Sequence, residues 1–268
     1  MCTRLSDEYL LDNRAEDAQE RFGALAALFN TATFRHMEAL GIGAGWRCWE
    51  VGAGGRSVPD WLAHRVGPDG RVIATDLDAT WVDGDGDAAY ETLQLQHDVA
   101  SDDPPDGDFH LVHARLVLVH VPDREEALRR MTGSLRPGGW LLIEDFDTAL
   151  QPFACIEPLG EAGLRANKIR NGFRDLLAQR GVDLEYGRKL PRLLREAGFK
   201  DVGADAYFPV ALGAGPRLEH SNVSQVRDGL VGQGLATDEE VDAHLASVDS
   251  GELDISTPPL VSAWGRLP

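Results

Sequence analysis

The sequence predicts an α/β fold, a doubly wound and mostly parallel sheet of seven strands with an N-terminal helical arm and a helical insertion before the sixth strand. Three observations predict it. Between residues 47 and 147, short apolar runs alternate with segments of helical length, the rhythm of strand–helix–strand units. Runs such as Val-Ile-Ala-Thr at 72–75 and Leu-Leu-Ile-Glu at 141–144 are apolar without alternation, as in strands covered on both faces. Gly-Pro-Asp-Gly at 67–70 and Arg-Pro-Gly-Gly at 136–139 supply the turns between them.

The elements follow in order. From residue 9 to residue 40, Phe22, Leu25, Leu28, Phe29, Phe34 and Leu40 recur with helical spacing, broken near Asn30, which gives the arm. Residues 47–51 form the first strand, Ser57 caps a helix with Pro59 near its start, and residues 71–75 form the second strand. Strands at 93–97 and 109–114 come next. Pro122 and Asp123 open a helix that stops before the 136–139 turn, and 140–144 is the fifth strand. Residues 150–198 read as helical, 201–209 as the sixth strand, 217–248 as helical and 260–266 as the last strand. The expected organisation is one domain: arm 1–44, core 45–149, helical lid 150–198, and a C-terminal part of sheet and helices 199–268.

Composition limits the partners. The chain has 268 residues with 26 Lys and Arg against 44 Asp and Glu, a formal net charge of −18 that repels nucleic acid and anionic membrane surfaces. Residues 82–108 hold nine acids and no Lys or Arg, and 236–254 hold seven acids and none; such runs read as solvated faces and loops. Cys2, Cys48 and Cys155 form no CxxC pair, which fits a reducing compartment. With no basic-then-apolar leader and no apolar run of about 20 residues, the expected location is the cytoplasm. A small molecule is the expected partner, and a homodimer the expected assembly if the chain associates at all.

The stretch from Trp49 to Ser57 runs from a strand through glycines into a helix. Gly52 and Gly54, with Ala53 between them, let backbone N–H groups approach a ligand. A dinucleotide fingerprint would place its third glycine where Ser57 stands. Glu50 at the carboxyl end of the strand repels a pyrophosphate and suits a ligand that carries positive charge, such as the sulfonium and ammonium of S-adenosylmethionine. Asp76 ends the second strand, 24 residues after Gly52, where a carboxylate accepts from ribose hydroxyls in nicotinamide enzymes as well. Asp98, after the third strand, suits the exocyclic amine of adenine with Val99 against the ring, or else caps a turn.

Together, EVGAGG at 50–55, ATDLD at 74–78, HDV at 97–99, FHLVHARLVLVHV at 109–121 and LRPGGWLLIEDF at 135–146 resemble the ordered motifs of class I S-adenosylmethionine-dependent methyltransferases. The likeness covers about residues 45–147 and is greatest to the small-molecule branch, with its quinone C-methyltransferases and natural-product tailoring enzymes. It implies S-adenosyl-L-methionine as cofactor, with Glu50, Gly52 and Gly54 at the methionine end, Asp76 on the ribose, Leu77 beside the adenine, Asp98 and Val99 reading the adenine, and His113 next to the cofactor. Arg56 departs from the small residue common there. His113-Ala114-Arg115-Leu116 stands where amino-methylating nucleic-acid and protein-glutamine enzymes carry an (Asp/Asn)-Pro-Pro-aromatic motif.

The implied chemistry is in-line methyl transfer to an O, N or C nucleophile, in which positioning and desolvation dominate and a base is optional. His113 and Asp145 are the candidate catalytic residues, His120 reads as structural, and Arg21 with Phe22 in the arm are candidates for closing over the cofactor. No His, Asp or Glu spacing resembles a metal site. Two other readings remain open: a protein of this fold that binds the cofactor without methylating, and a nicotinamide oxidoreductase.

Overall fold

The computed structural model describes residues 10–11, 18–78, 92–211 and 213–268. The start of the arm at residue 9 and the acidic stretch 82–91 lie outside them. The described chain contains α1 (Ala18–Ala39), β1 (Arg47–Val51), α2 (Ser57–Val66), β2 (Arg71–Asp76), β3 (Thr92–Gln96), β4 (Phe109–Arg115), α3 (Arg124–Gly133), β5 (Leu135–Phe146), α4 (Gly160–Gln179), α5 (Tyr186–Glu196), β6 (Lys200–Tyr207), α6 (Gly215–Gly232), α7 (Asp238–Asp249) and β7 (Leu260–Arg266). The seven strands form one sheet in the order β3-β2-β1-β4-β5-β7-β6, parallel from β3 to β5 and antiparallel between β5 and β7. The expected fold class holds.

The chain divides into two compact units. One takes residues 30–146, 186–206 and 260–268 and carries nearly all of the sheet; the other takes the described part of 1–29 with 147–185 and 207–259 and is helical. The stretch 150–198 therefore does not stay together as one insertion: α4 belongs to the helical unit and α5 to the sheet unit, and 150–159 is not helical.

In the sheet unit one face is covered by α2 and the later half of α1. Cys48, Val72, Leu111 and Leu142 on the strands meet Met37, Val58, Leu62 and Val66 on the helices, and Phe34 stacks flat on Trp61 with ring centroids 4.4 Å apart. Full burial of each such side chain contributes about 1.5–3 kcal/mol. In the helical unit, Ile169, Leu176, Val223, Val226, Leu230 and Val241 join α4, α6 and α7. A buried ion set runs beside that core: Arg170 donates to Glu219 at 2.5 Å, and His244 contacts the other Glu219 oxygen at 3.2 Å. Arg170 and His244 hold the Glu219 carboxyl down to about 2 against a burial that pushes it up.

Two local expectations are corrected. Ser57 is the first residue of α2 and does not cap it; Arg56 holds the cap position in helical conformation without a side-chain bond, and its guanidinium instead forks onto Asp60 at 3.2 and 3.3 Å. The Arg-Pro-Gly-Gly stretch at 136–139 turns the chain as expected, with Gly138 at φ +78°, but inside the bounds of β5 rather than before it. There the N–H of Gly138 donates to Leu267 O and the N–H of Leu267 to Gly139 O, both at 2.8 Å, while the register against β4 shifts between Phe109 and Leu111. Four residues, 136–139, thus stand opposite the single His110 of β4, and the proline, which has no N–H to give, lies outside the paired positions. Asp123 caps α3 as expected, accepting the Glu126 N–H at 3.2 Å.

Gly52 closes β1 with φ +62°, and a Cβ there would stand 2.3 Å from Val117 Cγ2. Left-handed backbone costs a non-glycine about 1–2 kcal/mol and overpacking about 1–3 kcal/mol. Gly52→Ala is expected to lower unfolding free energy in urea by about 2–5 kcal/mol. Adding Val117→Ala restores the packing part only.

Candidate functional site

The carboxyl ends of β1, β2 and β4 lie side by side at the centre of the sheet, with β1 between its neighbours. This is the edge at which open α/β sheets bind ligands. After β1 the backbone turns through Gly52 and Gly54, the latter at φ +58°. The Ala53 N–H donates to Thr75 O at 3.0 Å, and the Gly54 N–H donates to Asp76 Oδ2 at 2.8 Å. The second Asp76 oxygen accepts the Asp78 N–H at 3.1 Å. Burial pushes the Asp76 carboxyl up, and the N–H groups of Asp78 and Gly54 oppose that rise. Asp76 thus fixes the shape of the glycine loop. Leu77 is an exposed apolar side chain directly after it, 51% accessible.

Past β3, Val99 is buried, and the Asp98 side chain accepts the Ala100 N–H at 2.9 Å while its own N–H donates to Asp102. That is the geometry of an aspartate holding a turn. Arg21 belongs to the helical unit, where it is buried with its guanidinium 5.0 Å from the Phe22 ring centroid. Asn167 on α4 bonds both the N–H and the carbonyl of Cys155, at 2.8 and 2.9 Å, so its amide is engaged by backbone.

The largest difference from expectation is at His113. Its register partner on β1 is Glu50. His113 Nδ1 lies 2.6 Å from Glu50 Oε2 and Nε2 lies 3.3 Å from Glu144 Oε2, with both histidine and carboxylates buried. Burial alone lowers an imidazole pKa, but Glu50 and Glu144 outweigh it and push His113 up to about 9. At neutral pH the ring is a cation with both nitrogens donating, so it has no lone pair with which to take a proton. The base role expected of it has no support in this geometry.

Glu144 is the centre of the arrangement. Besides His113 it accepts from Thr33 and, at 2.6 Å, from Ser262, and His36 Nδ1 lies 3.2 Å away. His36 Nε2 is 2.9 Å from Asp205, a half-exposed residue of β6. Burial would raise the Glu144 carboxyl; His113, His36 and Arg115 hold it well below the usual range instead. His36 is raised because Glu144 and Asp205 outweigh its own burial. Arg115 donates to Asn30 and Thr33, tying the same helix to the strand end. His36 and Asp205 are residues that sequence reasoning missed. The strand part of the set did carry a signal: Cys48, Leu111 and Leu142 are core residues, and two positions further along each strand stand Glu50, His113 and Glu144, on the same face by strand periodicity.

Asp145 points to the opposite face. It is fully buried, and neither oxygen has a hydrogen-bond partner within ordinary geometry. Burial raises its pKa well above the usual value; the Val119 N–H and Arg124 oppose the shift without cancelling it. A carboxyl enclosed in this way is unsuited to contact a substrate. Among the described residues no group of three or more His, Cys, Asp or Glu is disposed to hold a metal.

Two stability measurements follow from these titrations. Below about pH 6.5 an imidazole is protonated in both folded and unfolded chains; above it the unfolded chain loses its proton first, and the folded one only near 9. The contribution of His113 is therefore complete below about pH 6.5 and declines up to about 9. The melting temperature is expected to fall over that window, with a shallower fall in His113→Gln. For Asp145, removal of the ionisable group raises the melting temperature of Asp145→Asn above wild type at pH 7, by more than at pH 4. A lower melting temperature at pH 7 would mean the carboxyl is partnered.

Comparison with known proteins places this architecture. The family model described as a methyltransferase domain matches residues 13–204. Methyltransferase str2 of Strobilurus tenacellus is 29% identical over 152 residues, 56% of this chain and 49% of that protein. The ubiquinone/menaquinone biosynthesis C-methyltransferase UbiE of Hahella chejuensis is 30% identical over 125 residues, 43% of this chain and 49% of that one. The chain spans about half the length of these curated relatives. The solved structure of Haemonchus contortus phosphoethanolamine N-methyltransferase 2 in complex with S-adenosyl-L-methionine superposes over 100% of this chain and 60% of its own, at a TM-score of 0.60 and 15% identity, a likeness of fold. With 192 of its 268 residues matched by the family model, counting from 13 to 204, the chain belongs to the methyltransferase domain family.

Proposed function

We propose that the chain binds S-adenosyl-L-methionine at the ends of β1, β2 and β4 and transfers its methyl group to a small organic nucleophile. The observation that carries this reading is the glycine loop latched to Asp76 by the Gly54 N–H at 2.8 Å, with Glu50 at its root. Gly52, Ala53 and Gly54 present backbone to the methionine end and Glu50 offers a carboxylate to its ammonium. The lone pairs of Asp76 not used by the loop accept from the ribose hydroxyls. Leu77 covers one side of the adenine, with Asp98 and Val99 at its edge. Family membership supports the reaction class, and the small-molecule relatives support the acceptor class. A formal charge of −18 weighs against polyanionic acceptors.

In the reaction the acceptor lone pair forms a bond to the methyl carbon as the carbon–sulfur bond breaks. Its electron pair neutralises the sulfonium, leaving S-adenosylhomocysteine, and an acceptor proton, where there is one, passes to solvent. The chain contributes alignment and exclusion of water, which suffice for a reagent already activated by its charge. With His113 a cation and Asp145 enclosed, no base from either residue is assigned.

Calorimetry tests the reading. S-adenosylmethionine and S-adenosylhomocysteine are expected to bind and NAD not to bind. Asp76→Ala weakens both by about tenfold or more, the effect of losing hydrogen bonds to a charged group worth about 1.5–3 kcal/mol. Binding of NAD alone overturns it, and so does S-adenosylmethionine binding that Asp76→Ala leaves unchanged.

A further inference from the structure

Glu50 uses its two oxygens unequally. Oε2 accepts from His113 at 2.6 Å, and Oε1 makes no hydrogen bond among the described residues. A carboxylate on a flexible stem ordinarily samples several rotamers, and a cation that binds it must offset the cost of freezing them. Here the freezing is already done. The His113 ring is fixed from its far side by Glu144, and Glu144 is itself fixed by three residues on two elements: Thr33 and His36 on α1 and Ser262 on β7.

On the reading of the site given above, we propose that His113 and Glu144 are positioning residues for Glu50: they hold one oxygen of its carboxylate so that the other faces the α-ammonium of S-adenosylmethionine. Neither residue touches the cofactor. Their action passes through Glu50 alone, and it concerns one functional group of the ligand. The electrostatics agree, because the His113 cation compensates Glu144 and persists through the neutral range, leaving net negative charge on the Glu50 side for the ligand to meet. Of the other basic groups facing this set, His36 lies between Glu144 and Asp205, and Arg115 is turned to Asn30 and Thr33; neither makes a hydrogen bond to Glu50.

The role separates from a structural one by ligand chemistry. Affinities are measured by calorimetry for S-adenosylmethionine and for its analogue lacking the α-amino group, with wild type, His113→Leu, His113→Asn and Glu144→Gln. Wild type is expected to prefer the amino-bearing ligand at least about tenfold, the range of a charge-assisted hydrogen bond. His113→Leu and Glu144→Gln should shrink that ratio to within threefold while changing affinity for the deaminated analogue less than threefold. His113→Asn, whose amide still donates towards Glu50, should keep an intermediate ratio. Equal losses for both ligands, or an unchanged ratio, overturn the positioning role and leave the cofactor assignment standing; failure of wild type to bind either ligand overturns both. Should the variants fail to fold, nitrogen NMR of the wild-type protein labelled in histidine gives the answer. The Nδ1 proton of His113 should shift on saturation with S-adenosylmethionine and stay in place with the deaminated analogue. The same shift with both, or none with either, overturns the proposal.

Discussion

The sheet unit depends on a carboxylate–imidazolium–carboxylate contact, Glu50 to His113 to Glu144, placed where an apolar core would otherwise continue. Burying charge in a protein interior costs several kcal/mol per ion, and opposite charges offset that cost only when their geometry satisfies the remaining donors and acceptors. Here it does so through α1 and β7. Thr33, His36 and Ser262 complete Glu144, so the helix and the last strand are specified in position by polar atoms as well as by apolar packing. A slip of one residue in either would leave a buried ion unpaired.

This arrangement divides the chemistry of the two sheet faces. On the face covered by α1 and α2, apolar residues lie lower along the strands and ions lie above them, level with the glycine loop. On the other face burial pushes the Asp145 carboxyl well above its usual range, and the Val119 N–H and Arg124 offset only part of that rise. Two adjacent acids in β5 are thus shifted in opposite directions, Glu144 down by the cations it meets and Asp145 up by burial.

Much of the architecture is legible in the residues. The strand–turn–helix order, the glycine loop and the acid ending β2 depend on local patterns, and local patterns survive in a single sequence. The Asp123 cap is likewise a local signal. The ion set is not local: Glu144 meets Thr33 and Ser262, which lie 111 and 118 positions away, and only the strand order brings them together. His36 gave no sign beyond a polar residue in an apolar helix face. Asp145 read as chemistry because it lies at a strand end, and only the direction of its side chain shows otherwise. The turn at 136–139 was legible from its Pro and Gly residues, but not that Leu135 before it already pairs with β4.

The place of β7 in the sheet has a consequence for biosynthesis. It lies between β5 and β6, yet residues 260–266 are the last of the strands to be made. Until they emerge from the ribosome, the interior strand β5 has an unpaired apolar edge and Glu144 lacks its serine. An exposed edge of this kind invites pairing with other chains. The nascent protein therefore completes its sheet only after translation of nearly the whole described chain.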